Sequence, residues 1–207
     1  MPGRRRPSST HSIEETRLRI SREAARLIAE EGLNDYHAAK RKAIARLNLA
    51  QGQHLPSNQE IEQALTEHLQ LFHARDLPQT LQWLRRLAVQ AMRLLERFEP
   101  RLVGSLLTGN VTRFSVIELH LTADTPELVA FFLQEQGISF EETSKRLRFG
   151  GERNEMAPVY GFVAEDTAIE LTVFTPAAAR EAPLSPIDGR PMKRAPLKEI
   201  EPLIEQI

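Results

Sequence analysis

The hydrophobic period of the chain changes once, at Pro100, and that change limits what each half can become. Up to Phe98 the apolar residues recur at helical spacing, whereas from Arg101 they fall into short apolar and β-branched runs. Residues three or four apart share a face of a helix, and alternate residues share a face of a strand. The expectation is therefore an α+β fold, with a helical region followed by a small mixed sheet. We read a basic disordered arm over 1–11, a helical domain over 12–99, and an α/β domain over 100–207 that ends in a wrapping loop and a short helix.

Four helices are expected before the change. Ser12-Ile13-Glu14-Glu15 has capping-box spacing, and Leu18, Ile20, Ala24, Leu27 and Ile28 recur behind it as far as Gly32. Asn34 or Asp35 starts a second helix running to about Leu47, with Ala39, Ala43, Ile44 and Leu47 on one face and Lys40, Arg41, Lys42 and Arg46 on the other. The stretch Ala50 to Pro56 reads as a loop. Ser57-Asn58-Gln59-Glu60 repeats the capping box ahead of Ile61, Leu65, Leu69 and Phe72. A fourth helix is predicted from Pro78 to Phe98.

Charge and composition narrow the partners. With 27 basic and 28 acidic side chains, no overall field draws the molecule to nucleic acid or an anionic membrane, so such a partner needs a local patch. The chain has no cysteine, which removes disulfides, thiolate nucleophiles and thiolate metal sites and fits a cytoplasmic, bacterial-type setting. The basic start, Arg4-Arg5-Arg6, is followed by no apolar segment of the signal type, and no membrane span is expected.

The segment from Arg17 to Leu49, including Ile20-Ser21-Arg22-Glu23-Ala24-Ala25-Arg26-Leu27, resembles the opening of tetracycline-repressor-type helix-turn-helix regulators. That resemblance implies DNA as a partner of helices two and three. The family has a tight turn before its recognition helix, whereas roughly eight residues separate Leu49 from Asn58 here. A protein partner for the helical half is the other expectation.

In the second half, strands are predicted at Arg101 to Leu107, Ser115 to Thr122, Ile138 to Glu142, Lys145 to Phe149, Pro158 to Ala164 and Ala168 to Phe174, with one helix from Thr125-Pro126-Glu127 to Gly137. Alternation puts Ile117, Leu119 and Leu121 on one face of their strand and Val116, Glu118 and His120 on the other. It likewise separates Ile169, Leu171 and Val173 from Glu170 and Thr172. If the two strands are neighbours, two carboxylates and an imidazole converge. The loop from Pro183 to Ala195 carries Arg190, Lys193 and Arg194, a solvated basic group whose functional alternative is contact with a phosphate.

Gly104-Ser105, a spacer of nine residues, and then Ser115-Val116-Ile117-Glu118-Leu119-His120-Leu121 resembles the signature of the DNA polymerase β-like nucleotidyltransferase superfamily, with Glu170 at the third carboxylate position. The resemblance covers about residues 101 to 175. It implies transfer of a nucleoside monophosphate from a nucleoside triphosphate, with Gly104 and Ser105 seating the triphosphate and Glu118 and Glu170 as catalytic residues holding Mg²⁺ or Mn²⁺. His120 is a further candidate ligand, of a kind better suited to Mn²⁺ or Zn²⁺ than to Mg²⁺. The chain departs from the signature at Val116, where the superfamily has its first metal-bridging aspartate. The expected function is thus nucleotidyl transfer, weak or lost, with a non-catalytic nucleotide-sensing or DNA-binding regulator as the alternative.

Overall fold

The computed structural model describes residues 9–49 and 54–204, with side chains from Ile13 onward. The expected arm falls largely outside that range. Its last residues do not: the first helix, α1, spans Ser9–Glu31 and places Ser12 inside the helix, so the capping box expected there is not the helix start. Nothing between Ser9 and Glu31 breaks the helical run; Gly32, at φ 70, lies just beyond its end.

Two further helices complete the first compact unit, which extends to Ala74. Helix α2 spans Tyr36–Arg46, and its cap is Asp35, whose carboxylate accepts the backbone N–H of His37. Helix α3 spans Asn58–Phe72 behind a complete capping box: the Ser57 hydroxyl accepts from Glu60 N at 3.1 Å, and the Glu60 carboxylate accepts from Ser57 N at 2.7 Å. Ile20, Ala24, Leu27, Ala39, Ala43, Ile44 and Ile61 form the core of this unit. Phe72, expected on the buried stripe, is instead exposed at the helix end, where the stripe runs out.

The fourth helix, α4 (Leu77–Leu94), belongs to the second unit, which begins at Arg75. Grouping it with the other helices followed from its period alone, yet its apolar face, Leu84, Leu87, Ala88, Ala91 and Leu95, shares a core with strand residues. After a 3₁₀ turn at Glu96–Phe98, Glu99 takes a left-handed conformation, φ 48, before Pro100. Strand β1 (Arg101–Val103) follows and ends sooner than expected, because Gly104 turns the chain into the four-residue helix α5 (Ser105–Thr108).

Strand β2 (Ile117–Thr122), helix α6 (Pro126–Glu135), strands β3 (Glu141–Arg148), β4 (Asn154–Ala164), β5 (Thr167–Phe174) and β6 (Ala195–Pro196), and helix α7 (Leu197–Ile200) complete the unit. The two short strands expected between Ile138 and Phe149 are one, β3. The last helix stops early as a 3₁₀ turn, Glu201–Leu203, around Pro202, whose ring removes a helical donor. Among the described residues the sheet has six strands in the order β3-β4-β5-β2-β1-β6, mixed because β2 and β5 run parallel while the other pairs are antiparallel. Glu165 and Asp166, both at positive φ, form the two-residue turn between β4 and β5.

Ile117, Leu119 and Leu121 of β2 and Ile169, Leu171 and Val173 of β5 bury one sheet face with α4 and α6, as alternation predicts. The opposite face carries Glu118, His120, Glu170 and Thr172. The fold is α+β, with helices preceding and covering a mixed sheet. No helix among the described residues is long and apolar enough to cross a membrane.

Candidate functional site on the sheet face

Parallel pairing sets Glu118 directly beside Glu170. Residues in register on neighbouring strands point the same way, so both carboxylates rise from the same face at one level. Two like charges so close repel unless a cation lies between them. The cation here is Lys145. Its Nζ donates to Glu118 Oε1 and to Glu170 Oε2, each at 3.1 Å.

Lys145 comes from β3, two strands away from β5. It lies opposite Ala157 of β4, and Gly161 of β4 lies opposite Glu170. On this face β4 presents Ala157, Val159 and Gly161 between the two strands. Burial opposes the ammonium charge, but the Glu118 and Glu170 carboxylates outweigh it and hold the amine above its ordinary value. The three side chains keep 43%, 32% and 39% of their surface, for Lys145, Glu118 and Glu170. Solvent screening at that exposure leaves the cluster about 1 kcal/mol of net stabilisation.

Gly104 is built into the same cluster. At φ 79 and ψ −156 it occupies a region open essentially only to glycine, and a Cβ there would lie 2.2 Å from Glu118 Oε2. The Glu118 carboxylate thus lies against the Gly104 backbone, and Ser105 opens α5 next to it. Strand β1, the Gly104-Ser105 turn, helix α5 and strand β2 follow one another along the chain.

His120 stands two residues along β2 and is brought to the same face but not to the carboxylates' hydrogen-bonded cluster. It is 5% exposed, packs its ring on Phe174 at 4.8 Å between centroids, and leaves Nδ1 without a hydrogen-bond partner among the described residues. Burial first, and then the charges of Arg194 and Lys145, push the imidazole down to about 3.

The residues do not suit the metal expected of them. Among the described residues no three His, Asp or Glu side chains are grouped to hold an ion. Val116, just before β2, offers no ligand, and the place between the two carboxylates is taken by an ammonium. Sequence reasoning missed Lys145, since the only available signal was a basic residue in a strand-like run, and its reach across β4 depends on register.

Two of the four basic side chains on the outer face of α2 pair with α1. Lys42 pairs with Glu31 at 2.7 Å, and Arg46 pairs with Glu31 at 2.7 Å and Glu23 at 3.5 Å. Compared with models of known protein families and with curated proteins, the sequence matches none.

Proposed function

We propose that the sheet unit is a nucleotidyltransferase-like domain that no longer transfers nucleotides and serves as a regulatory binding module, with the helical unit as its partner-binding part. The observation that carries this reading is the Lys145 ammonium bridging Glu118 and Glu170. Transfer of a nucleotidyl group needs carboxylates free to fix metal ions against the attacking and leaving oxygens. A tethered ammonium supplies one positive charge but no coordination sites, and it cannot bridge a triphosphate to an acceptor. Val116 removes a further ligand. The pair is thereby converted from a reactive site into a clamp joining β2, β5 and β3. A DNA-binding role for the helical unit draws less support, because Lys42 and Arg46 are already ion-paired.

Calorimetric titration with ATP, GTP, CTP and UTP in Mg²⁺ or Mn²⁺ tests the reading, on the wild type, Lys145→Ala, Glu118→Ala and Glu170→Ala. The wild type is expected to show no metal-dependent nucleotide binding and no transfer of labelled nucleotide. Lys145→Ala is expected to gain divalent-cation binding that Glu118→Ala, in the same background, removes. Metal-dependent binding by the wild type that is lost in both Glu118→Ala and Glu170→Ala would overturn it.

A further inference from the structure

Beyond the clamp, toward the C-terminal ends of the parallel strands β2 and β5, the same sheet face opens into a cavity of about 250 Å³. Ligands of sheets with parallel strands commonly sit at those ends. Arg101, Arg194, His120, Thr122 and Phe174 line it, together with Glu99. Arg101 is placed by pairing: it lies opposite His120 on one side and Pro196 on the other. Arg194 is anchored to the Ala179 carbonyl through Nη1 at 2.9 Å.

Neither guanidinium is ion-paired among the described residues, whose arginine ion pairs are those of Arg17, Arg26, Arg46, Arg93 and Arg153. Burial, and then the neighbouring Arg101 charge, lower Arg194 from its ordinary value, the mark of a cation whose charge is not compensated locally. His120 adds a 95% buried ring with an unpartnered nitrogen. A buried polar group with no partner costs about 1–3 kcal/mol, and such groups are a recurrent feature of ligand sites. Glu99, at φ 48, adds one carboxylate to the lining, which with two guanidiniums stays net positive.

We propose that this cavity binds the phosphoryl group of a small phosphate monoester, with Arg101 and Arg194 as its charge partners and Thr122 as a neutral donor. Guanidinium forks match phosphate oxygens, and two of them offer more donors than a single carboxylate can accept. The Phe174 ring beside His120 gives the ester group an apolar surface. This site does not depend on the nucleotidyltransferase reading, since no residue of the Glu118–Lys145–Glu170 clamp lines it.

The test is calorimetric and thermal-shift titration of the full chain, in chelator, with inorganic phosphate, AMP, glycerol 3-phosphate and succinate. The wild type is expected to bind the phosphate compounds, raising its unfolding midpoint, and to ignore succinate. Arg101→Gln, at an exposed position, is expected to weaken that binding by about tenfold or more, as loss of a charged hydrogen bond does. Arg194→Gln should weaken it further, because the guanidinium that the Ala179 carbonyl holds in place is removed. Equal binding of AMP and glycerol 3-phosphate identifies the phosphoryl group alone as the determinant, and tighter AMP binding identifies a nucleotide as the source; both support the site. Failure of every phosphate compound to bind, equal binding of succinate, or unchanged binding in Arg101→Gln would overturn it.

Discussion

Two ends of one sheet face handle charge in opposite ways. At the Glu118 end, two carboxylates and a lysine satisfy one another at 3.1 Å, and the backbone at Gly104 is shaped to admit them. At the His120 end, two arginines with no ion pair among the described residues line a cavity, beside an imidazole whose Nδ1 has no hydrogen-bond partner among them. The first arrangement is complete within the chain. The second, on our proposal, is completed by a ligand. Charge that is neutralised internally contributes to holding strands together, while charge left over is available for a ligand.

The largest effect that separates the two ends is expected at Gly104. Gly104→Ala sets a Cβ into the Glu118 carboxylate and forces a side chain into a glycine-only conformation, at a cost of about 3 kcal/mol from strain and clash together. Placed in a Glu118→Ala background the clash is gone, and the cost should fall to the strain alone, about 1–2 kcal/mol. Urea denaturation of the four proteins of that cycle measures the difference. Identical costs in the two backgrounds would show that Glu118 is not held against the Gly104 backbone.

Next in size is the acid response of His120. Its folded value, about 3, lies below its ordinary 6.5, so the unfolded chain binds a proton that the folded chain excludes. Stability from this residue is therefore full above pH 6.5 and falls as the pH drops through the window between 6.5 and about 3. The loss amounts to about 2 kcal/mol between pH 6.5 and pH 5. The charges of Arg194 and Lys145 add to its reluctance to charge. His120→Leu should remove this part of the acid limb, read from unfolding midpoints across that range. Parallel limbs in both proteins would sink the assignment.

Much of the clamp was legible and its key was not. Alternation alone put Glu118 and Glu170 on the outward faces of their strands, and their pairing in register then brought them together. Gly104 was singled out only by the resemblance; the apolar run Arg101 to Leu107 reads as one strand through it, and the turn it makes into α5 was not legible from the period. Lys145 was hidden, since β3 is an edge strand, Glu-Glu-Thr-Ser-Lys-Arg-Leu-Arg, whose exposed faces need no hydrophobic alternation. A strand of that composition reads as two fragments. The basic cavity was hidden for a different reason: Arg101, His120 and Arg194 meet through β1 pairings with β2 and with the two-residue β6, neighbours that sequence spacing does not encode. Period likewise assigned α4 its helix but not its neighbours.

The smallest stability effects give the sharpest version of the comparison. Lys145→Met should cost about 1 kcal/mol, because the cluster is part-exposed and screened, and the loss should be recovered by millimolar Mg²⁺ or Mn²⁺ entering between the freed carboxylates. Arg101→Gln should change stability by no more than about 0.5 kcal/mol, since its exposed guanidinium has no ion-pair partner among the described residues to lose. Chemical denaturation with and without divalent cation, and with and without inorganic phosphate, places both variants on one grid. A cation that stabilises only Lys145→Met, together with a phosphate response that is strong in Lys145→Met and weak in Arg101→Gln, would show the two ends acting independently. If phosphate instead stabilises Arg101→Gln as well as it stabilises the wild type, the leftover charge at Arg101 is not for a phosphoryl ligand, and the contrast between the two ends loses its functional meaning.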